Sequence, residues 1–248
     1  MHPEEYRKLA ARDQVHWFYR GKRAIALRWI QSYAKLHARD LLLDCGFGVG
    51  TWLAEMAVRC RVVGIDDHPD SIAIGSAQVM AKGGAVLCAE VNRIPLADGT
   101  VAVVTLMDVL EHLDDDIAAL HEAVRVARSG GIILVIVPAF PSLWSDWDVS
   151  LHHRRRYERA TLLAKLNQTN ADILRCTFIN SLAFPAIAAI RWLRNVLPSP
   201  GVRQRAEDKV PFEILNRALF HAFVQPALWP WFQPPFGVSL LAILRKRD

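Results

Sequence analysis

Three glycines with a spacing suited to ligand binding lie in the segment Asp44-Cys45-Gly46-Phe47-Gly48-Val49-Gly50. The segment follows the apolar run 41–43 and opens a helical pattern at Trp52. Glycine lets the backbone turn sharply and lets a ligand approach where a Cβ would collide, while free N–H groups at a helix start can meet polar or anionic atoms. The segment predicts a nucleotide-like ligand, and the alternative is a glycine turn that binds nothing.

Asp66 is placed to hold the ribose of such a ligand. It ends the apolar run 62–65, about 20 residues after Asp44, the separation at which a carboxylate can accept hydroxyl protons from an adenosine ribose. A dinucleotide fingerprint has the spacing G-x-G-x-x-G, whereas here Gly50 comes one residue early and Thr51 stands in the glycine's place. NAD is therefore the weaker hypothesis, and a nicotinamide-dependent oxidoreductase is kept as an alternative.

The elements that must position these residues are short apolar runs alternating with helical patterns. The runs are too short for buried helices and have the continuous apolar character of parallel strands covered on both faces. They are Leu41-Leu42-Leu43, 62–65, 85–88, 101–106 and 132–137, with further strands expected near 171–179 and in 237–244. Helices are predicted over about 22–36, 69–81 and 159–168, and from Asp114 to a stop at Ser129-Gly130-Gly131. The pattern indicates a doubly wound α/β sheet.

Several motifs of the chain together resemble the class I S-adenosylmethionine-dependent methyltransferases. They are Asp44-x-Gly46-x-Gly48-x-Gly50, Val63-Gly64-Ile65-Asp66, the run 94–100, Asp108-Val109-Leu110-Glu111-His112, and Gly130-Gly131 before the fifth strand. The resemblance implies a Rossmann-like fold of seven mostly parallel strands with the last one antiparallel. It also implies S-adenosyl-L-methionine as the cofactor and methyl transfer as the activity.

Carried over position by position, the family pattern implies a set of cofactor-binding residues. It puts the methionine moiety beside Asp44, Gly46 and Gly48, the ribose on Asp66, and the adenine near Asp67, Glu90 and Val91. Gly50 and Asp108 complete the predicted set. The chain departs from the family at Glu90, where an aspartate is usual, and at Phe47 and Val49, where small residues usually flank the glycines.

The flanks are similar to a bacterial branch of these enzymes, through the segments 16–23, 152–157 and 236–242. In the first of these, His16-Trp17-Phe18-Tyr19-Arg20, the aromatic residues could pack against the sheet or form a lid over the cofactor. The lid hypothesis puts Arg20 near the cofactor's carboxylate. We predict four parts of the chain: an N-terminal helical lid (1–40), a cofactor-binding core (41–180), an apolar helical cap insertion (181–235) and the last strand of the core (236–248).

Methyl transfer mainly requires alignment of the acceptor, so a general base is optional. His153 is the first candidate for such a base and His112 the second, because both lie near the carboxyl ends of the predicted strands; each could instead be structural. Arg154, Arg155, Arg156 and Tyr157 could grip an anionic acceptor, or form a solvated surface. The predicted acceptor is a small molecule or lipid-linked, and a protein that binds the cofactor without catalysis is a further alternative.

The segment 181–235 is apolar, broken by prolines, and interspersed with tryptophans and arginines that include Arg203 and Arg205. It could be a packed cap, a homodimer surface, or a surface that rests on an anionic membrane. No run is long and apolar enough to span a membrane.

The overall composition limits which partners, metals and cell compartments can be expected for this protein. The 248 residues are 52% hydrophobic and 22% charged with a net charge of +5, which indicates a folded protein that attracts anions. The four cysteines lack paired spacing, so neither a metal nor a disulfide is predicted, and nucleic acid is a less favoured partner. We expect a cytoplasmic protein, with contact at the inner face of the membrane as a further option.

Overall fold

The computed structural model describes residues 3–196 and 209–248, and within them a seven-stranded sheet in the order β3-β2-β1-β4-β5-β7-β6. The strands are β1 (Leu41–Cys45), β2 (Arg61–Asp66), β3 (Ala85–Cys88), β4 (Val101–Met107), β5 (Ala127–Pro138), β6 (Ala171–Ile179) and β7 (Ser239–Lys246). Neighbouring strands pair in parallel from β3 to β5, while β7 pairs antiparallel with both β5 and β6. The predicted mostly parallel sheet with an antiparallel last strand is confirmed.

The strand order reverses between β1 and β4. From β1 the chain continues to β2 and β3 on one side, and then crosses to β4 on the other side. Leu43 pairs with Val63 in β2 and with Val104 in β4, so the carboxyl ends of these strands meet at one edge. Open α/β sheets bind ligands at such a switch point.

Helices cover both faces of the sheet. They are α1 (Pro3–Asp13), α2 (Trp17–Tyr33), α3 (Thr51–Met56), α4 (Pro69–Met80), α5 (Asp116–Val126), α6 (Asp146–Ser150), α7 (Arg159–Leu166), α8 (Phe184–Val196) and α9 (Glu213–Ala227). One apolar core packs α5 and α7 against the sheet through Leu120 and Leu162. The core of the other face packs α2 and α9 through Ile30 and Phe223. This arrangement is the expected doubly wound one.

Helix α2 begins at Trp17, earlier than the predicted start near residue 22. The reason is a cap: the His16 ring accepts a hydrogen bond from the Phe18 N–H at 3.2 Å. The extra turn packs on α9, where the Phe18 and Phe223 rings stack with centroids 5.8 Å apart. A Cβ on Gly21 would lie 2.4 Å from the Phe223 ring, so glycine permits this close approach.

Helix α5 ends sooner than predicted. Asp115 caps it by accepting from the Ala118 N–H at 2.9 Å. At the other end, Ala127 leaves the helical conformation and pairs with Val101, so the chain enters β5 before reaching the glycines expected to stop the helix. The other boundaries agree more closely: β6 spans Ala171–Ile179, and α4 ends at Met80 beside the expected residue Ala81.

The segment 181–235 contains α8 and α9, while residues 197–208, with Arg203 and Arg205, lie outside the described residues. Helix α9 lies against α2 and buries Phe223, Val224 and Ala227. Large apolar side chains of the segment are nevertheless exposed: Leu182, Ile190, Trp192, Leu193, Val210, Phe212, Ile214, Leu215, Trp229 and Trp231. Within the described ranges, every helix is too short or too polar to cross a membrane. The cap, membrane and dimer hypotheses stay predictions.

Candidate active site

A cleft of about 540 Å³ opens at the carboxyl ends of the central strands. Its floor is the glycine segment after β1, and its walls come from the loops after β2, β3, β4 and β5 together with α2, α6 and α8. Most of the predicted site residues therefore meet at one place.

The three glycines of the segment have three different surroundings, although all have positive φ. A Cβ on Gly46 would lie 2.7 Å from the Val109 side chain, so this glycine permits close packing under the cleft. A Cβ on Gly48 would project into open space, with its nearest described neighbour 4.0 Å away. Gly50 does not line the cleft, because its Cβ position faces the backbone of Gly75 in α4 at 2.7 Å. We therefore correct its predicted role in cofactor binding: Gly50 allows α3 and α4 to pack closely against each other.

Asp66 is buried at the end of β2 and organises the glycine segment. One of its oxygens accepts from the Gly48 N–H at 3.1 Å and from the Ser71 hydroxyl at 2.6 Å, and the other accepts from the His68 N–H at 3.0 Å. Burial raises the pKa of Asp66, while these three hydrogen bonds lower it. A carboxylate has about four acceptor sites, so capacity remains for a ligand hydroxyl.

Asp44, at the floor of the cleft, is only 3% exposed. The Thr105 hydroxyl donates to one of its oxygens at 2.6 Å. Burial raises the pKa of Asp44 to about 7, and the nearby Asp66 carboxylate adds to the increase, whereas the Thr105 hydrogen bond opposes it. Such a carboxyl is stabilised in its charged form by a cation arriving in the cleft.

The predicted contact of Arg20 is not made, because this exposed side chain lies over the Phe220 ring at 5.1 Å, away from the cleft. The cation that α2 does supply to the cleft is Lys22, two residues further along the helix, which forms an ion pair with Asp108. Asp108 follows β4 with a φ of 58° and lines the cleft as expected. Lys22 was missed because its ion pair joins two segments that lie far apart in the chain.

Both predicted histidines line the cleft, and their rings meet edge to face with centroids 4.7 Å apart. Burial and the neighbouring His153 lower the pKa of His112 to about 3, so its imidazole is neutral and a weak base. His153 lies 2.9 Å through Nδ1 from Asp148 Oδ1. Although burial acts against it, hydrogen bonds from His153 and Arg156 lower the pKa of Asp148 to about 2. The base role of His153 stays a prediction.

Glu111 lies close to His112 and His153. No role was predicted for it from the sequence. It is 0% exposed, and neither carboxylate oxygen has a hydrogen-bond partner among the described residues. Burial raises the pKa of Glu111 to about 8, against the lowering influence of its own backbone N–H and of the Lys22 and Arg156 cations. The only signal in the sequence was its place beside His112 in the family motif.

The basic loop after β5 is split between the cleft and the scaffold. Arg154 lines the cleft, half exposed, and its Nε donates to the His112 carbonyl at 2.8 Å. Arg156 also lines the cleft but is held by Asp148 at 2.7 Å. Arg155 and Tyr157 do not line it. Arg155 donates to loop carbonyls, and Tyr157, 1% exposed, donates to Asp116 at 2.6 Å, so both tie the loop to α5 rather than binding an acceptor.

Comparison with known proteins identifies the domain. Residues 43–135 match the family model of the methyltransferase domain. A Mycolicibacterium smegmatis protein named "probable S-adenosylmethionine-dependent methyltransferase" is 30% identical over 166 residues, 65% of this chain and 61% of that protein. These matches show a methyltransferase domain of the S-adenosylmethionine-dependent kind within this chain. Its matches span about half the length of the first mycobacterial relatives, at 44–47% of each.

Solved structures agree with the fold of this chain. A chain from the Haloferax volcanii complex that contains the Trm112 methyltransferase activator has a TM-score of 0.62 at 17% identity, over 99% of this chain and 97% of that one. Geranyl diphosphate C-methyltransferase from Streptomyces coelicolor, in complex with Mg²⁺, geranyl diphosphate and S-adenosyl-L-homocysteine, has a TM-score of 0.59 at 13% identity, over 90% and 79% of the two chains. The match to the methyltransferase domain and the relative's name favour S-adenosylmethionine over the alternative cofactor NAD.

The residues of the cleft fit this cofactor. Open space stands over Gly48, and the buried Asp44 carboxyl is available to a cationic group. At the predicted adenine end, Asp67, Glu90 and Val91 all line the cleft. Sequence reasoning missed their neighbour Asn92, whose buried Oδ1 lacks a partner among the described residues and can accept from an exocyclic amino group. The individual cofactor contacts remain proposals.

We expect cofactor affinity to depend on pH through Asp44. Its pKa of about 7 means that the carboxyl becomes protonated as the pH falls below 7, and a neutral carboxyl attracts the cofactor's ammonium group less strongly. The dissociation constant of S-adenosylhomocysteine should therefore rise as the pH falls from 8 to 5.5, by up to about tenfold per pH unit. Isothermal titration checks this.

Thr105→Val provides the control for the pH series. It removes the hydroxyl that stabilises the Asp44 carboxylate, so the midpoint of the affinity change should move to higher pH. A dissociation constant that stays flat across this range in the wild-type protein would rule out the assignment of Asp44 to the ammonium group.

Proposed function

We propose that this protein transfers the methyl group of S-adenosylmethionine to an anionic acceptor. The observation that carries the proposal is the division of charge along the cleft. Asp44 and Asp66 lie at the carboxyl ends of β1 and β2, and Glu90 follows β3, on the side where the family pattern puts the cationic cofactor. Arg154 and Arg156 follow β5, which lies on the other side of β1 in the sheet.

A third arginine strengthens the basic end of the cleft. Arg191 of α8 is buried, donates to the Leu143 carbonyl at 2.8 Å and lines the cleft. Guanidinium groups suit carboxylate and phosphate oxygens, which they can bind in a fork geometry. The proposed acceptor therefore carries a carboxylate or a phosphate.

The bound cofactor supplies an activated methyl group on a sulfonium, so the protein's contribution is alignment of the acceptor and exclusion of water. Phe18 and Tyr19 of α2, and Trp147 and Leu151 in and beside α6, line the cleft and can cover the reacting groups. The ion pair of Lys22 with Asp108 fixes the start of α2 over the loop after β4. These residues give the lid hypothesis a structural basis.

Methyl-labelled cofactor tests the proposed function. Incubation of the protein with this cofactor and fractionated bacterial extract should label a compound that binds to an anion-exchange resin. Transfer of label to a neutral or cationic compound alone would contradict the proposal. Cofactor binding without any transfer would favour the non-catalytic alternative.

The arginines of the loop give a sharper prediction once the acceptor is known. Arg154→Gln should raise the acceptor's KM about tenfold with little change in cofactor affinity, because it removes a charge that lines the cleft. Arg155→Gln is the matched control, since Arg155 points to loop carbonyls outside the cleft and its loss should leave the KM unchanged. Equal KM values for the two variants would show that Arg154 belongs to a solvated surface and does not bind the acceptor.

A lipid-linked acceptor is favoured by the exposed aromatic side chains of the segment 181–235. Helix α8 carries Arg191 into the cleft, while its neighbour Trp192 is 66% exposed. Trp229 and Trp231 stack on each other with centroids 5.3 Å apart, and Trp231 is 75% exposed. Exposed aromatic side chains with interspersed cations are typical of proteins that rest on anionic membranes. We propose a cytoplasmic enzyme that contacts the inner face of the membrane.

Sedimentation with vesicles tests this contact. The protein should pellet with vesicles containing phosphatidylglycerol and stay in solution with neutral phosphatidylcholine vesicles, and Trp231→Ala should weaken the binding several-fold. Met80→Ala is the control, because Met80 is an exposed apolar residue at the end of α4, outside 181–235. If the protein is a stable dimer that binds neither kind of vesicle, the exposed aromatic side chains form a homodimer surface and the proposed membrane contact is wrong.

A further inference from the structure

A cluster of three potential metal ligands lies at the wall of the cleft. Glu111, His112 and His153 each present a ligand atom, and these atoms all lie within 4.8 Å of one another. Two ligands about 2 Å from one ion lie up to about 4 Å apart, so side-chain adjustments on the order of 1 Å would bring all three onto a single ion. The cluster combines two separate parts of the chain, the short 3₁₀ turn Leu110–His112 after β4 and the loop after α6.

The state of Glu111 is the observation that points to an ion. A buried carboxylate normally accepts several hydrogen bonds, because leaving it unpaired costs much of its hydration free energy. Glu111 is 0% exposed, and both of its oxygens lack a hydrogen-bond partner among the described residues. One of these oxygens faces the two imidazoles. A cation bound there would supply the missing partner.

His153 is also oriented as metal-binding histidines are. Its Nδ1 lies 2.9 Å from Asp148 Oδ1, and Asp148 is fixed in turn by Ser145 and Arg156. A carboxylate that accepts from Nδ1–H leaves the Nε2 lone pair free for a metal, and this arrangement orients the ring. Asp148 thus fits the role of the outer carboxylate in a carboxylate–histidine–metal triad.

We propose that Glu111, His112 and His153 bind one divalent first-row transition-metal ion, such as Zn²⁺, Fe²⁺ or Mn²⁺. Two imidazoles with one carboxylate suit these ions better than Mg²⁺ or Ca²⁺, which prefer oxygen ligands throughout. Three protein ligands leave at least one coordination position free. Because both histidines line the cleft, that position opens on the cleft and can take an oxygen of the acceptor.

This assignment departs from the sequence-based expectation of no metal, which rested on the spacing of the cysteines. It also competes with the base role of His153, since an ion on Nε2 takes the lone pair that a base needs. Two cations, Lys22 and Arg156, face Glu111, but Lys22 is paired with Asp108 and Arg156 with Asp148. Their charges are thus largely compensated.

Cobalt titration tests the site without cofactor or acceptor. Chelator-treated protein is titrated with Co²⁺, and the visible absorption and the metal content by mass spectrometry are recorded. We expect one ion per chain, with absorption bands of Co²⁺ bound to nitrogen and oxygen, and displacement by Zn²⁺. Glu111→Gln keeps the size of the side chain but removes the charge, so it should weaken Co²⁺ binding by more than the about 100-fold that loss of an outer partner can cost.

His152→Asn is the matched control. His152 is exposed, adjoins His153 and lies outside the cluster, and asparagine tolerates its φ of 56°. This variant should bind Co²⁺ as the wild-type protein does. The inference is overturned if wild-type protein binds no Co²⁺, or if a folded Glu111→Gln variant binds it equally well. Metal binding does not depend on the proposed function; only the ion's contact with an acceptor does, so the two can fail separately.

Discussion

Gly48→Val is expected to abolish detectable cofactor binding, with a loss of at least about 100-fold in affinity, which corresponds to roughly 2.8 kcal/mol. The glycine lines the cleft, and the open space at its Cβ position is the space that the family pattern gives to the cofactor. A branched side chain would fill this space. It would also be strained at the glycine's φ of 56°. Isothermal titration with S-adenosylhomocysteine measures the loss.

Gly99→Val separates the two effects. Gly99 has a φ of 68° on an exposed loop, and a Cβ there would meet no described atom within 4 Å. Both variants should lose stability to urea because of backbone strain, by about 1–2 kcal/mol. Only Gly48→Val should lose the cofactor. Full affinity in a folded Gly48→Val protein would refute the role given to the glycine segment.

Asp66→Ala is expected to raise the cofactor's dissociation constant by about 10- to 150-fold, equivalent to about 1.5–3 kcal/mol, because the ribose loses hydrogen bonds to a charged group. The structure adds a second expectation. Since Asp66 also holds the backbone N–H groups of Gly48 and His68, the variant should unfold at a lower urea concentration. The substitution therefore affects both the fold and the site, rather than the site alone.

Ser71→Ala distinguishes the two roles of Asp66. It removes one of the donors to this carboxylate and leaves the carboxylate in place. We expect it to lose stability, by about 1 kcal/mol, and to keep cofactor affinity within a few-fold of the wild-type value. If Ser71→Ala loses as much affinity as Asp66→Ala, Asp66 acts by shaping the loop and not by binding the ribose.

The sheet and the cofactor side of the cleft could be predicted from the sequence because their signals are local. Each strand is a short apolar run, and the sharp turn after β1 needs glycine at Gly46 and Gly48. Asp66 ends a strand beside that turn, and parallel strands bring their carboxyl ends together. Strand positions and motif spacing therefore sufficed to bring Asp44, Gly48 and Asp66 into one cleft.

The other side of the cleft depends on contacts between distant segments, which a single sequence does not display. Whether Arg155 or Arg154 faces the cleft depends on how the loop after β5 folds over the turn after β4. Tyr157 looked like a binding residue because it follows three arginines, yet its hydroxyl is used by Asp116 in α5. The distinguishing feature of Glu111, that its carboxylate has no hydrogen-bond partner among the described residues, depends on the packing of several segments around it.

The position of β7 constrains how this protein folds. The strand lies between β5 and β6, so Ile132 of β5 must pair with Arg245, far along the chain. During synthesis, the β5 edge remains unpaired until residues 239–246 have left the ribosome. Folding steps that need such distant contacts are slow. Until the contacts form, an unpaired apolar strand edge can pair with other chains and cause aggregation. Full-length chains should thus fold late and gain most from chaperones, and a chain that stops before residue 239 should accumulate as aggregate.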